Sequence, residues 1–201
     1  MKRALLCLLF SAPALGCGSL KSKTIPTTVV AQRPTQAIEI RHEEGVASSF
    51  SLAPTDAGFN VLDGTGASLG TITIAGDRVT VQNAAQAPLA SAKKKKSGFR
   101  VYGADGKAVL TFKITSKGLD LKSKAHGKVG KLKNTKGTLG KSKLGVVREG
   151  DAWSVQRDGQ RVALVAGDIP EGAVLLLGLT QELAPNERLA ALLARAYVVG
   201  L

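Results

Sequence analysis

Gly66-Ala67-Ser68-Leu69-Gly70 sets a serine between two glycines at the spacing of a G-x-S-x-G nucleophile elbow. Such a serine is activated where a strand-to-helix turn lifts it above a sheet and an acid and an imidazole complete the relay. Asp77, Asp105 or Asp120, and then His126, occur in the required order. The residues after Gly70, Thr71-Ile72-Thr73-Ile74, alternate as a strand does, and Gly66 belongs to a hairpin turn. A hydrolase built around Ser68 is therefore the weaker reading, and no catalytic residue is assigned. Gly137-Thr138-Leu139-Gly140-Lys141-Ser142 approaches the G-x-x-x-x-G-K-S spacing that cradles phosphates, but Thr135 stands where the first glycine is needed. His42, beside Glu43 and Glu44, and His126, among lysines, have no ligand spacing. They read as solvated side chains, not as a metal site. No cofactor is expected.

Lysine is the densest signal. Between Lys93 and Arg148 the chain has 17 Lys and Arg against only Asp105 and Asp120, a net of +15, whereas the whole chain carries +13. Fifteen of those 17 bases are Lys. Lys is a hydrated point charge, while Arg supplies the fork that reads carboxylate or phosphate bidentately, so the composition makes a diffuse field and not a pocket for one anion. Lys93, Lys94, Lys95 and Lys96 lie in the stretch 92–98, which reads as an exposed loop. Lys122 with Lys124, and Lys131 with Lys133, are spaced by two, so each pair belongs to one face of a strand. Three uses compete. The lysines can be a solvated face that keeps sheet edges from pairing with other chains. They can contact an anionic surface, whether lipid head groups or an acidic envelope polymer; each base near an anionic membrane contributes ~1 kcal/mol within a Debye length of about 8 Å. Nucleic acid is not expected, because single strands need aromatic platforms and the chain has only five Phe, one Trp and two Tyr.

The cysteines carry a different chemistry. Lys2 and Arg3 precede twelve mostly apolar residues, 4–15, and Lys21 and Lys23 follow. Twelve helical residues cover about 18 Å, short of a hydrocarbon core of roughly 30 Å. A charged start and a short apolar run are the pattern of a secretory signal peptide. Its end, Ala14-Leu15-Gly16-Cys17, resembles the lipobox of bacterial lipoproteins, with Ala14 where a larger aliphatic residue is usual. The resemblance implies removal of residues 1–16, a diacylglyceryl group on the Cys17 sulfur and an acyl chain on its new amino group. Two or three chains anchor firmly where one holds only marginally. It also implies an address in the bacterial cell envelope. Gly18 is not the Asp that commonly retains lipoproteins at the inner membrane, which favours the outer membrane. Cys7 leaves with the signal peptide, so no disulfide, cysteine metal site or cysteine nucleophile is expected.

The elements that must position these groups follow a tether. Residues 17–37 combine the lipidated cysteine with a stretch that contains Pro26 and Pro34 and lacks periodicity, which reads as a flexible lead. From Ile38 to about Val165, short apolar-polar runs alternate with turns such as Ala75-Gly76-Asp77-Arg78 and Arg157-Asp158-Gly159-Gln160. Turns of two to four residues select antiparallel hairpins, because parallel connections need a dozen residues or more. Residues 58–81 align without a gap on 98–121, a shift of 40, with Gly58/Gly98, Phe59/Phe99, Val61/Val101, Gly66/Gly106, Thr71/Thr111 and Ile74/Ile114 identical. A looser copy begins near Trp153, in the Phe position. A meander of such units must close or stack to bury its apolar face. Residues about 170–199 change character. Leu189, Leu192, Leu193 and Ala196 follow helical spacing, Asn186 is placed as N-cap, and Glu187 falls in the first turn. The segment is apolar nearly all round and should be buried. Glu182, Pro185, Glu187, Arg188 and Arg195 interrupt every window that a second membrane span of about 20 residues would need.

Hairpins of the form seen at 99–114, closed by an apolar C-terminal helix, are similar to the tubby-like C-terminal fold shared by LURP-one-related and scramblase-like proteins. That likeness implies a closed antiparallel barrel around a hydrophobic helix over about residues 38–199. Some of those proteins bind anionic membrane lipids through basic surface residues, but no position here matches a motif for that site. The sequence therefore predicts a mainly β domain over 38–201, an antiparallel barrel or sandwich of repeated hairpins with a buried C-terminal helix. Its expected role is a non-catalytic binding or structural module, held at the membrane through Cys17. Lys93, Lys94, Lys95, Lys96, Lys122, Lys124, Lys131 and Lys133 are the candidate contacts with an anionic surface.

Overall fold

The computed structural model describes residues 35–43, 49–123 and 127–199. Cys17, with the expected signal peptide and most of the tether, lies outside them, as do Lys124 and His126. The strands are Ile38–His42 (β1), Phe50–Thr55 (β2), Gly58–Leu62 (β3), Ser68–Ala75 (β4), Arg78–Asn83 (β5), Pro88–Lys95 (β6) and Gly98–Gly103 (β7). They continue as Ala108–Thr115 (β8), Gly118–Ser123 (β9), Gly127–Lys133 (β10), Lys136–Leu139 (β11), Ser142–Glu149 (β12), Ala152–Arg157 (β13) and Gln160–Ala166 (β14). Each pairs antiparallel with its neighbours in sequence, and β1 pairs with β14 through Ile40 and Val165, so the sheet closes into a 14-strand barrel. Closure removes the two edges that an open meander would leave exposed. Of the barrel and the sandwich, the chain adopts the barrel.

Alternation sets what faces where. Ile38, Ile40, Leu52, Phe59, Ile72, Val79, Phe99, Val101, Phe112, Leu121, Val155 and Val165 point inward and are at most 2% exposed. Their neighbours in each strand are mostly Ser, Thr, Lys or Arg and face out. This polarity is the reverse of a membrane-spanning barrel, whose outer band is apolar. No helix among the described residues is long and apolar enough to cross a membrane.

The 40-residue repeat is one set of strands used twice. β3 to β5 begin at 58, 68 and 78, and β7 to β9 at 98, 108 and 118. Phe59 lies opposite Ile72 as Phe99 lies opposite Phe112, and the register slips by one residue after Val61 and again after Val101. The repeated glycine has a steric cause. A Cβ at Gly98 would sit 1.9 Å from the Phe112 carbonyl oxygen, and one at Gly58 would sit 2.1 Å from that of Ile72. Trp153, the looser copy, is half-buried under the Arg148 guanidinium, 4.7 Å from its ring centre.

The barrel has two unlike ends. At one, here the tight end, turns of two residues join β2–β3, β4–β5, β6–β7, β8–β9, β10–β11 and β12–β13. The other, the loop end, has the longer connections 63–67, 84–87 and 104–107. Asp63 organises the first of these: its Oδ1 accepts the N–H groups of Thr65 and Ala67 and the Thr65 hydroxyl at 2.7–2.9 Å.

Fourteen strands enclose more space than wall side chains can fill; about eight is the number that fills itself. The residues after β14 take up the difference. Glu171–Val174 (α1) runs into a 3-10 turn at Leu175–Gly178, and Pro185–Leu193 (α2) runs into a π-helical turn at Ala194–Val198. The 3-10 turn packs on β12, β13 and β14, and α2 packs on β5, β6 and β7. In the ring, β6 and β13 are seven strands apart, on opposite sides. The chain thus crosses the lumen along one wall and returns along the other. Ala90 and Ala92 of β6 make room for α2, and the buried Arg188 of α2 donates from Nη1 to the Leu177 carbonyl of the first limb, 3.4 Å. Leu175, Leu176, Leu177 and Leu189–Ala194 are at most 2% exposed.

The segment is buried as its composition demands, but in two limbs. The N-cap of α2 is Ala184, not Asn186. Pro185 explains the shift: with φ preset and no N–H to satisfy, proline suits the first helical position. Glu187 lies in the first turn as expected, and its Oε2 accepts the Ala184 N–H at 2.9 Å.

Candidate functional site

Most of the lysines lie on the outer wall; Lys94, aligned with the inward Phe99, shares the inner register and is exposed at the rim of the barrel. Lys93–Lys95 belong to β6, and only Lys96 and Ser97 form the turn, so the exposed loop expected over 92–98 is mostly strand. Pairing on both sides overrides the low strand preference of lysine: Lys93 lies between Arg78 and Arg100, and Lys95 faces Gly98. Lys93 is half-exposed, with its Nζ 3.7 Å from Asp77 Oδ2, while Lys94, Lys95 and Lys96 are exposed.

Register assembles the other bases into rows. Across β5 to β10 the aligned residues are Arg78, Lys93, Arg100, Thr111, Lys122 and Lys128. Arg100 Nε donates to Thr111 Oγ1 at 3.1 Å. Across β8 to β12 a second row holds Lys113, Asp120, Lys131, Thr138 and Lys143. Lys128 Nζ, of the first row, is 3.4 Å from Oδ1 of Asp120, the acid in the second. Lys131 and Lys133 flank the inward Leu132 and so share the outer face, as their spacing predicts, and Lys133 aligns with Lys136. The remaining outer wall is differently charged. There Arg161 bridges Glu43 (Nε to Oε1, 2.6 Å) and Glu149 (Nη1 to Oε2, 3.3 Å), and the Glu43 hydrogen bond raises the Arg161 pKa further.

Sequence reasoning missed Arg157, which it treated as a turn residue. Arg157 is inward and 8% exposed at the loop end. Its Nη1 and Nη2 grip the two carboxylate oxygens of Glu182 at 2.9 and 3.1 Å. Nη1 also donates to the Gly178 carbonyl at 3.3 Å and Nη2 to Gln181 Oε1 at 2.9 Å. The guanidinium therefore fastens the loop between the two luminal limbs to the barrel wall. Trp153-Ser154-Val155-Gln156-Arg157 held the clue, because two residues on from Val155 is the inward face.

The other sequence candidates fall apart in space. Ser68 is exposed and opens β4 straight after a hairpin loop, so its surroundings are strand-loop-strand and not an elbow. Residues 137–142 are the end of β11, a two-residue turn and the start of β12, with no helix to receive a phosphate. His42 is not solvated: the alternation Ile38, Ile40, His42 turns it inward, where it is 6% exposed, with its ring 6.1 Å from that of Phe50. Among the described residues no three His, Cys, Asp or Glu side chains are grouped to hold a metal. Each mouth of the barrel has a cavity beside the helical limbs. The one at the tight end, about 390 Å³, is lined by Ile114, Ser116, Asn134, Glu171 and Arg195, and burial lowers the Arg195 pKa. The one at the loop end, about 250 Å³, is lined by Phe50, Val61, Leu69, Val81, Pro185 and Leu189. No protein-family model, curated protein or solved structure matches this chain.

Proposed function

We propose that this chain is a lipid-anchored envelope protein whose barrel is a non-catalytic binding or structural module working at an anionic surface. The observation that carries the reading is the alignment of like charges across strands. Arg78, Lys93 and Arg100 are direct neighbours, as are Lys122 with Lys128 and Lys133 with Lys136. Like charges directly opposite one another destabilise a sheet. A wall that serves only solubility gains nothing from that arrangement, since interspersed signs do the same work. An anionic partner turns the cost into attraction. The lumen supports the same reading, because the chain's own leucines fill it between the two mouths.

Anchoring is tested by acyl labelling in the native host or a bacterial one. Cys17→Ser is expected to abolish labelling and to release the protein from the membrane fraction; unchanged labelling refutes the anchor. Surface recognition is tested by vesicle co-sedimentation at low and near-physiological salt. Binding that survives salt and prefers one anionic head group supports recognition. Binding that disappears equally for all head groups leaves the lysines as a solvated face.

A further inference from the structure

We infer that the barrel stands on an anionic bilayer with its tight end down, through lysines carried by three successive hairpin tips. The inference rests on the anionic-surface reading above and adds which residues touch the surface and how the molecule is oriented.

Two independent features meet at the tight end. The tips of β6–β7, β8–β9 and β10–β11 lie side by side there and carry Lys94, Lys95, Lys96, Lys117, Lys133 and Lys136. All six are exposed, and no acid occurs in these three tips. Asp56, Asp77, Glu149, Asp151 and Asp168 occupy other positions at the same end, and Glu171 lies in the mouth, lining a cavity with Ser116 and Asn134. Strands are spaced by about 4.8 Å, so the three tips span roughly 20 Å, and neighbouring tips fall near one Debye length of each other. Their charges act as a group. The second feature is the path of the chain. β1 starts at Ile38, and its Glu39 lies opposite Ala166, the last residue of β14, at the tight end. The polypeptide coming from Cys17 thus joins the barrel at the same end as the lysine tips, across the mouth from them, since β1 and β8 are seven strands apart in the ring.

The loop end also exposes lysines, Lys107, Lys122, Lys128, Lys141 and Lys143, but acids stand among them. There Lys107 is 3.2 Å from Asp105, Lys128 Nζ is 3.4 Å from Asp120 Oδ1, and Asp158 Oδ1 accepts the Lys143 N–H at 2.7 Å. A crown of tips suits a plane of head groups better than an extended polymer, which would need a groove. Ile114, 39% exposed at the same end, adds an apolar side chain for the interface.

The full chain contains a single tryptophan, which makes the orientation measurable. In a Trp153→Phe background, Ser97→Trp reports the tight end and Ala85→Trp the loop end. Each is mixed with vesicles of phosphatidylcholine whose acyl chains carry bromine near the carbonyl, with or without roughly one-third phosphatidylglycerol. The expected result is strong quenching for Ser97→Trp and little for Ala85→Trp on the anionic vesicles. Replacing the six tip lysines with Gln should remove that difference and weaken partitioning by about fivefold per lysine. A second six-lysine set on the wall and loop end (Lys107, Lys113, Lys122, Lys128, Lys141, Lys143→Gln) should leave the difference in place. Equal quenching at both ends, or a wall set as damaging as the tip set, overturns the inference. So does loss of heparin retention in the tip variant without any quenching, which assigns the tips to an acidic polymer. Sedimentation with neutral vesicles reads the anchor separately. If it fails, the anchor is refuted, and the end-to-end difference on anionic vesicles still decides the orientation.

Discussion

Replacing Arg157 with Ala tests the account of how the lumen is plugged. The side chain is 8% exposed and its partner carboxylate, Glu182, is 19% exposed, so the pair is mostly out of water. Removing the guanidinium strands the carboxylate and leaves the Gly178 carbonyl and Gln181 Oε1 without their donor. Breaking a buried pair from one side costs about 3–5 kcal/mol. With a urea m-value of about 2 kcal/mol/M, the midpoint of unfolding should fall by roughly 1.5–2.5 M. The partner test is the double variant Arg157→Met with Glu182→Leu. It removes both charges and keeps the volume, and an apolar replacement of a buried pair is close to neutral, so it should recover most of the loss. Urea unfolding followed by far-UV circular dichroism on the wild type, Arg157→Met, Glu182→Leu and the double variant completes a mutant cycle. The reasoning fails if Arg157→Ala shifts stability by less than about 1 kcal/mol. It fails equally if the double variant is no more stable than the worse single one, because the loss would then owe nothing to a stranded charge.

Gly98→Ala should destabilise by about 3 kcal/mol, because its Cβ would lie 1.9 Å from the Phe112 oxygen and both strands must move. Calorimetry should show a drop in Tm of roughly 6–12 °C. Gly64→Ala, with open space around it, should shift stability by less than about 0.5 kcal/mol; similar effects at the two sites would refute the steric account. Hydrogen bonds hold three exposed carboxylates below the usual aspartate pKa of about 3.9. Asp63 is lowered by the Thr65 hydroxyl and nearby N–H groups, Asp105 by the Lys107 N–H, and Asp158 by the Lys143 N–H. The unfolded chain then binds more protons, so their contribution is complete above about pH 4 and is lost as pH falls through the lower folded values. The triple Asn variant should have a shallower dependence of the urea midpoint on pH across that acid range, and an unchanged slope counts against the turns.

Local features were the legible ones. The Gly-Phe-x-Val repeat announced β3 and β7, because each strand, its turn and its partner lie within a few residues. Closure is different: Ile40 and Val165 meet across 125 positions, and nothing near either residue signals the pairing. Lys93–Lys95 misled because lysine is poor in strands, yet two paired neighbours decide the matter. His42 and Arg157 were both readable by alternation, from Ile40 and Val155, but each was judged by its polarity and not by its position. The C-terminal segment showed its burial plainly. Its division into two limbs depends on Pro185 and on the Arg157 grip, and the second of these exists only after the barrel has closed.

The order of the parts along the chain bears on how the protein is made. The fourteen strands are synthesised before the residues that occupy their common interior. Until α2 has been made, the inner faces of β5, β6 and β7, small at Ala90 and Ala92, have nothing to cover them. A ring closed at that stage, β14 on β1, would be hollow. Filling the lumen therefore depends on the last residues to be made. Any factor that holds the chain open during synthesis would have to guard the free sides of β1 and β14 as well as that uncovered inner wall.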